Sequence, residues 1–252
     1  MPEVELLLTG FTFNTDQGRL GLSTVVLIRG QRTILVDTGP MGRRDLLFNA
    51  LKQRGLTPDA IQMVVLTHAH WDHTQNVDLF PRATFVIHPA EMDYARNPKP
   101  NDWATARYFG DTLRGKQVQE VAEGEELEPG VRVLETPGHT RGHISLLVET
   151  SGGRVAIAGD AIGDAYAALQ GKPYLIFWDE QAAVQSVQKI FSHTHTLYPG
   201  HDRPFRLHPD GKVEYLGGDT GIRLFGNLGW PYGDAQVTLG ALVPPRQVMV
   251  VR

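Results

Sequence analysis

A chain of 252 residues, 41% hydrophobic and 21% charged, has enough apolar side chain for a large core and is not a disordered segment. Its formal net charge of -4 and pI near 6.2 argue against a general nucleic-acid binder, because phosphate affinity needs a basic surface. The lack of cysteine removes disulfides and every thiolate-ligated metal site. Met1 to Gly10 carries acids where an export signal would need bases, and its apolar run is only Leu6 to Leu8. No segment approaches the ~20 apolar residues of a membrane span. The expected setting is soluble and cytoplasmic, with no membrane partner.

Val4 to Leu8, Thr24 to Ile28 and Thr33 to Val36 read as buried strands, with Arg29-Gly30-Gln31 as the turn between the last two. Leu46, Leu47, Ala50 and Leu51 recur at helical spacing, and Gly55 is placed to end that helix. Met63 to Leu66, Thr84 to Ile87, Arg132 to Leu134, Ile144 to Val148 and Val155 to Ala158 are further short apolar strands. Ala183, Val187, Ile190 and Phe191 mark a second amphipathic helix, and Leu197-Tyr198 is a short strand. Strands alternate with helices in both halves and nothing splits them, so residues 1–252 read as a single α/β domain. Two stretches break the rhythm. One is an inserted aromatic segment, 89–119, with Tyr94, Trp103, Tyr108 and Phe109. The other is a Gly/Pro-rich extension, 217–252, with Phe225, Trp230 and Tyr232 and a strand-like end at Val248 to Val251.

The chemistry gathers just after the short strands. Met63 to Leu66 leads into Thr67-His68-Ala69-His70-Trp71-Asp72-His73, four potential ligands within six residues. A strand cannot aim all four at one point, because its side chains alternate faces; a tight turn at its end can. Imidazoles with a carboxylate are the set expected for zinc, iron or a similar ion. Three more candidates sit in similar settings: Gly138-His139, Gly159-Asp160 and Gly200-His201. Functional groups of α/β sheets gather at carboxyl ends of strands. A glycine beside each ligand allows close backbone approach or an unusual φ. His143 reads as a structural or supporting residue, and His88, His193, His195 and His208 as surface or turn residues.

The pattern His-x-His-x-Asp-His, then Gly-His, Gly-Asp and Gly-His, resembles the metallo-β-lactamase superfamily over roughly residues 20 to 205. The resemblance implies a four-layer αββα sandwich with two divalent metal ions at one edge of its sheets. It implies that His68, His70 and His139 hold one ion, that Asp72, His73 and His201 hold the other, and that Asp160 bridges them. Asp72 and Asp160 are then the catalytic carboxylates, and a metal-bridging hydroxide the nucleophile. Zinc is the default metal, with iron, manganese or cobalt suited to the same donors. Asp37, in Leu35-Val36-Asp37-Thr38-Gly39, matches the family's early aspartate and is expected to orient a ligand or a loop from behind.

Within the superfamily, His70 stands where diiron flavoproteins have Glu, and Asp160 with the absence of cysteine argues against hydrolysis of β-lactam antibiotics. His88-Pro89-Ala90-Glu91-Met92-Asp93-Tyr94, Pro129-Gly130-Val131 before Thr136-Pro137-Gly138-His139-Thr140, and Gly200-His201-Asp202 resemble acyl-homoserine-lactone lactonases. Those enzymes place a Tyr three residues after the bridging aspartate; here Gly163 occupies that position and Tyr166 is the nearest tyrosine. The expected activity is hydrolysis of a lactone or carboxylic ester of a small molecule. The alternatives are a thioesterase like hydroxyacylglutathione hydrolases, then a phosphodiesterase or nuclease, then a non-catalytic metal-binding module. Tyr166, Tyr94 and Trp103 are the expected substrate contacts, with the aromatic segment as a pocket wall, as packing on the outer helices or as a homodimer interface.

Overall fold

The computed structural model describes residues 1–14, 19–219, 221–226, 235–240 and 249–250. The first half runs β1 (Glu3–Leu8), β2 (Phe11–Asn14), β3 (Arg19–Leu22), β4 (Val25–Arg29), β5 (Thr33–Val36), α1 (Arg44–Gln53), β6 (Met63–Val65) and a single helical turn, α2 (Trp71–Thr74). It continues through β7 (Thr84–Ile87), α3 (Pro89–Arg96), α4 (Phe109–Thr112) and β8 (Gln117–Glu120). The second half runs β9 (Glu126–Glu128), β10 (Val131–Glu135), β11 (Ile144–Thr150), β12 (Gly153–Gly159), α5 (Ala165–Gln170), β13 (Leu175–Ile176) and α6 (Glu180–His193). It closes with β14 (Thr196–Pro199), β15 (Phe205–Leu207), β16 (Val213–Tyr215), β17 (Gly221–Gly226), β18 (Ala235–Gly240) and β19 (Met249–Val250).

Two sheets carry the fold. The first has the order β1-β4-β5-β6-β7-β8 and the second β16-β15-β14-β12-β11-β10-β9. The period of two in the strands assigns each side chain to a layer. Val26, Ile28, Ile34, Val36, Met63, Val65 and Val86 of the first sheet meet Val131, Val133, Ile144, Leu146, Val148 and Ile157 of the second in one inner core. The intervening residues Val25, Leu27, Leu35, Val64, Phe85 and Ile87 face outward under Leu47, Ala50 and Leu51 of α1 and Ala95 of α3. On the far side Leu147, Ala156 and Ala158 pack under Val187 and Ile190 of α6. Both faces of the central strands are buried, which is why they read as continuous apolar runs rather than as alternating ones. The result is the four-layer αββα sandwich.

Several sequence expectations are corrected here. Leu46 lies on the solvent face of α1, 55% exposed; Leu47, Ala50 and Leu51 make the buried stripe. The expected segment 89–119 is not continuous insertion, since its last three residues belong to β8, which pairs in parallel with β7. The β2–β3 hairpin has no counterpart in the sequence reading, because Thr12, Asn14, Arg19 and Gly21 interrupt its apolar residues. In the extension, Trp230 and Tyr232 lie outside the described residues, while Met249–Val250 forms a strand paired with Leu175–Ile176.

Candidate metal centre

The candidate ligands come from the carboxyl ends of four strands in two sheets. After β6 the chain passes through His68 and His70 and then winds into α2, which carries Asp72 and His73. That single turn lets four side chains converge where a strand could not. His139 follows β10, Asp160 follows β12 and His201 follows β14. All seven are nearly or wholly buried. Their donor atoms fall into two groups, His68, His70, His139 and Asp160 in one, Asp72, His73 and His201 in the other, each with atoms within 4.8 Å of one another.

Asp160 stands between the groups. Its Oδ2 lies 3.3 Å from His139 Nε2, while its Oδ1 lies 3.2 Å from His201 Nε2 and 3.3 Å from His73 Nε2. His139 Nε2 is 3.0 Å from His70 Nδ1, and His201 Nε2 is 3.5 Å from Asp72 Oδ2. Among the described residues, His68 Nε2, His73 Nε2 and Asp160 Oδ1 are buried polar atoms with no hydrogen-bond partner. Burying such atoms unpaired is costly, and cations placed among them satisfy all three at once. The donor set therefore fits divalent metal.

The far nitrogen of each imidazole is held by the protein. His68 Nδ1 lies 3.0 Å from Thr67 Oγ1, His73 Nδ1 2.7 Å from Asp37, His139 Nδ1 2.7 Å from the Leu175 carbonyl and His201 Nδ1 3.2 Å from the Leu22 carbonyl. Such anchoring sets the tautomer and aims the opposite nitrogen inward. Asp37 has φ +59°, uncommon for a residue other than Gly, and its carboxylate also accepts the Thr67 amide at 2.8 Å. It stands behind His73.

Asp102 is a residue that sequence reasoning missed. It lies 3.4 Å from His70 Nε2 and accepts hydrogen bonds from the Thr105 hydroxyl and the Tyr94 phenol, both at 2.7 Å. Burial works against its charge, but His70 and these donors hold its carboxyl well below the usual carboxylate range. Its faint signal was the Asp-x-x-Thr spacing of Asp102 and Thr105, a local turn motif. Tyr94 is thus corrected: it is buried and braces Asp102 rather than lining the cleft. His143 is likewise buried; its Nε2 accepts the Asp160 amide at 3.0 Å and its Nδ1 meets Thr136 Oγ1 at 2.8 Å.

Charge is distributed unevenly across the centre. Burial pushes His139 down to about 4, and pushes His68 well below the ordinary imidazole range, aided by the neighbouring imidazoles. Burial opposes the cations of His73 and His201 too, but Asp37, Asp160 and Asp72 raise His73 and Asp160 and Asp72 raise His201. The Asp160 carboxyl is held well below its usual range: burial disfavours its charge, and His201, His73 and His139 outweigh that. His68 and His139 thus present neutral lone pairs, whereas the carboxylates beside His73 and His201 favour positive charge there.

A cleft opens onto these atoms. Phe177 and Tyr174 form one wall, Trp103 another, and Leu20 and Gly21 of the β2–β3 hairpin a third. Phe177 is buried with its ring edge-on to His70 at 5.0 Å, and Trp103, 54% exposed, packs on Phe177 at 5.7 Å. Of the expected substrate contacts, Trp103 lines the cleft, whereas Tyr166, on α5, does not; Tyr174 from the following loop does. Tyr108 points to solvent and Phe109 is buried in the outer core.

The model of the metallo-beta-lactamase superfamily matches residues 18–201, which span the whole ligand series. The chain belongs to the metallo-beta-lactamase superfamily. Its relatives include metallo-beta-lactamase domain-containing protein 1 of Xenopus laevis, 34% identical over 75% of each chain. An N-acyl homoserine lactonase of a Bacillus species is 29% identical over 60% of this chain and 58% of its own. Among solved structures, an AiiA variant from B. thuringiensis with N-decanoyl-L-homoserine at its active site superposes with a TM-score of 0.62 at 22% identity, covering 79% of this chain and 92% of that one. Among the described residues of this superfamily member, no helix is long and apolar enough to cross a membrane.

Proposed function

We propose that this metallo-hydrolase is dinuclear and hydrolyses a lactone or carboxylic ester that carries an apolar group. The observation that carries the reading is Asp160, whose two oxygens face the two ligand groups at 3.2 to 3.3 Å. His68, His70 and His139 would hold one ion, Asp72, His73 and His201 the other, and Asp160 both. Bound there, a pair of divalent ions brings the pKa of a shared water toward neutrality and polarises an ester carbonyl. Zinc suits the nitrogen and oxygen donors, as do iron, manganese and cobalt. The protein's own part is orientation: Asp37, Thr67, Asp102 and the Leu22 and Leu175 carbonyls hold the imidazoles in one tautomer each. Phe177 keeps water from the outer side of His70 and His139. Trp103, Phe177 and Leu20 offer apolar surface to the part of the substrate that does not react. The lactone-cleaving relative named above supports this choice of ester class.

Elemental analysis of protein purified without chelator should give close to two ions per chain, because seven side chains exceed the four ligands of one tetrahedral site. Asp72→Ala and His201→Ala should each lower the value toward one. A firm value of one that neither substitution changes sinks the dinuclear reading. On the same sample, a panel of acyl-homoserine lactones, simple γ- and δ-lactones, an acylglutathione, a cephalosporin and a bis-aryl phosphodiester should be led by a lactone or ester. Best turnover of the acylglutathione would make the protein a thioesterase, and best turnover of the phosphodiester would make it a nuclease-like enzyme.

Trp103→Ala should raise KM for long-chain substrates by roughly tenfold, the equivalent of losing about 1.5 kcal/mol of apolar contact. Short-chain KM and metal content should stay as they are. Equal effects on both chain lengths would remove Trp103 from the substrate wall.

A further inference from the structure

Glu91 is a wholly buried carboxylate that neither faces the ligand groups nor lines the cleft. It sits in the first turn of α3, which Pro89 opens and His88 caps by accepting the Ala90 amide at 3.1 Å. Its Oε1 accepts the Ala69 amide at 2.9 Å and its Oε2 the Gly142 amide at 2.8 Å. Ala69 lies between His68 and His70. Gly142 lies between His139 and His143, and His143 in turn holds the Asp160 amide at 3.0 Å. The approach is close enough to demand glycine, since a Cβ on residue 142 would sit 2.1 Å from the Glu91 nitrogen. Burial raises the Glu91 carboxyl above its ordinary range, against the pull of the two amides. A buried carboxylate costs several kcal/mol unless well hydrogen-bonded, so this one is a costly fixture spent on the backbone of two loops.

We propose that Glu91 is a positioning residue that clips the His68–Ala69–His70 loop to the His139–His143 loop and so sets the spacing of the three-histidine group before any ion binds. The inference rests on the reading of that group as a metal site. A carboxylate is required because both loops present donors and only two acceptor oxygens meet both. Gln at this position turns its amino group toward one of the two amides, donor against donor, and releases one loop.

The test uses Glu91→Gln in the full chain, with zinc affinities of both equivalents measured by chelator competition. One equivalent should weaken by about 10- to 100-fold, in the range seen when groups behind metal ligands are removed, while the other changes little. With ions saturating, kcat should fall and KM should hold, because Glu91 does not touch the cleft. Cobalt-substituted variant should show an altered visible spectrum. Wild-type affinity at both equivalents, or an equal loss at both, overturns the proposal. A measurement on the unaltered protein covers a variant that fails to fold. After metal depletion, hydrogen exchange at the Ala69 and Gly142 amides should be slow and similar; exchange of either at the rate of an exposed amide overturns the clip. A wild-type protein that binds no zinc would refute the metal-site reading by itself, and the exchange rates would still decide whether the two loops are tied.

Discussion

Asp160→Asn should abolish most turnover while leaving the fold in place. The substitution keeps the shape of the side chain and removes the negative charge from among His73, His139 and His201, to which Asp160 lies within 3.3 Å. An amide presents only one strong acceptor, so it can serve one ligand group and not both. Metal content should drop from close to two toward one or below. Turnover should fall on the order of a thousandfold, which is about 4 kcal/mol of transition-state stabilisation. Metal-free wild type and variant should melt within a few degrees of each other, while added metal should stabilise the wild type more. Metal analysis, melting and turnover on the same preparations check this. Full turnover from an ion-free Asp160→Asn protein would refute a metal-dependent mechanism.

Gly138→Ala should damage both stability and the three-histidine group. Gly138 has φ +133°, and a Cβ there would lie 2.3 Å from the backbone nitrogen and Cα of Ala183. Ala183 is buried in the first half of α6, whose backbone cannot yield as a side-chain end would. The Gly138 carbonyl also accepts the Trp178 and Asp179 amides at 3.1 Å, tying the His139 loop to the start of that helix. Strain at the positive φ and overpacking each cost about 1–3 kcal/mol, so a loss of roughly 4 kcal/mol and of roughly 10 °C in Tm is expected. Displacement of His139 should weaken one metal equivalent as well. Gly163→Ala is the control: Gly163 borders the cleft, but its φ is -73° and a Cβ there meets nothing within 4 Å. Thermal melts and metal titrations of both variants make the comparison, and equal tolerance of the two would show that the Gly138 contact is not tight.

The seven candidate ligands were legible because each declares itself locally. Each follows an apolar run within a few residues, and Gly138, Gly159 and Gly200 precede theirs where the backbone conformation or the lack of room for a Cβ requires glycine. Gly159 has φ +51°, and a Cβ on Gly200 would lie 2.0 Å from Asp160 Oδ1. The strands were legible too, since burial on both faces leaves short unbroken runs of branched apolar residues. The grouping of the ligands into two sets came from the resemblance to the superfamily; in the structure the donor atoms of His68, His70, His139 and Asp160 lie together, as do those of Asp72, His73 and His201.

Apart from Asp37 and His143, what supports the ligands was not legible, because it depends on pairs far apart in the chain. Asp102 reaches His70 across 32 residues, Glu91 reaches Gly142 across 51, and the Leu22 carbonyl reaches His201 across 179. No periodicity marks such a pair; each residue alone looks like an ordinary polar residue in a loop or a helix turn. The aromatic residues show the same division. Tyr94, Trp103, Tyr108 and Phe109 are alike by composition, yet one braces Asp102, one walls the cleft, one faces solvent and one fills the core. Local sequence determines that an aromatic ring is present, whereas the packing of α3, α4 and the Phe177 loop decides which surface that ring covers, and that is a property of the folded chain as a whole.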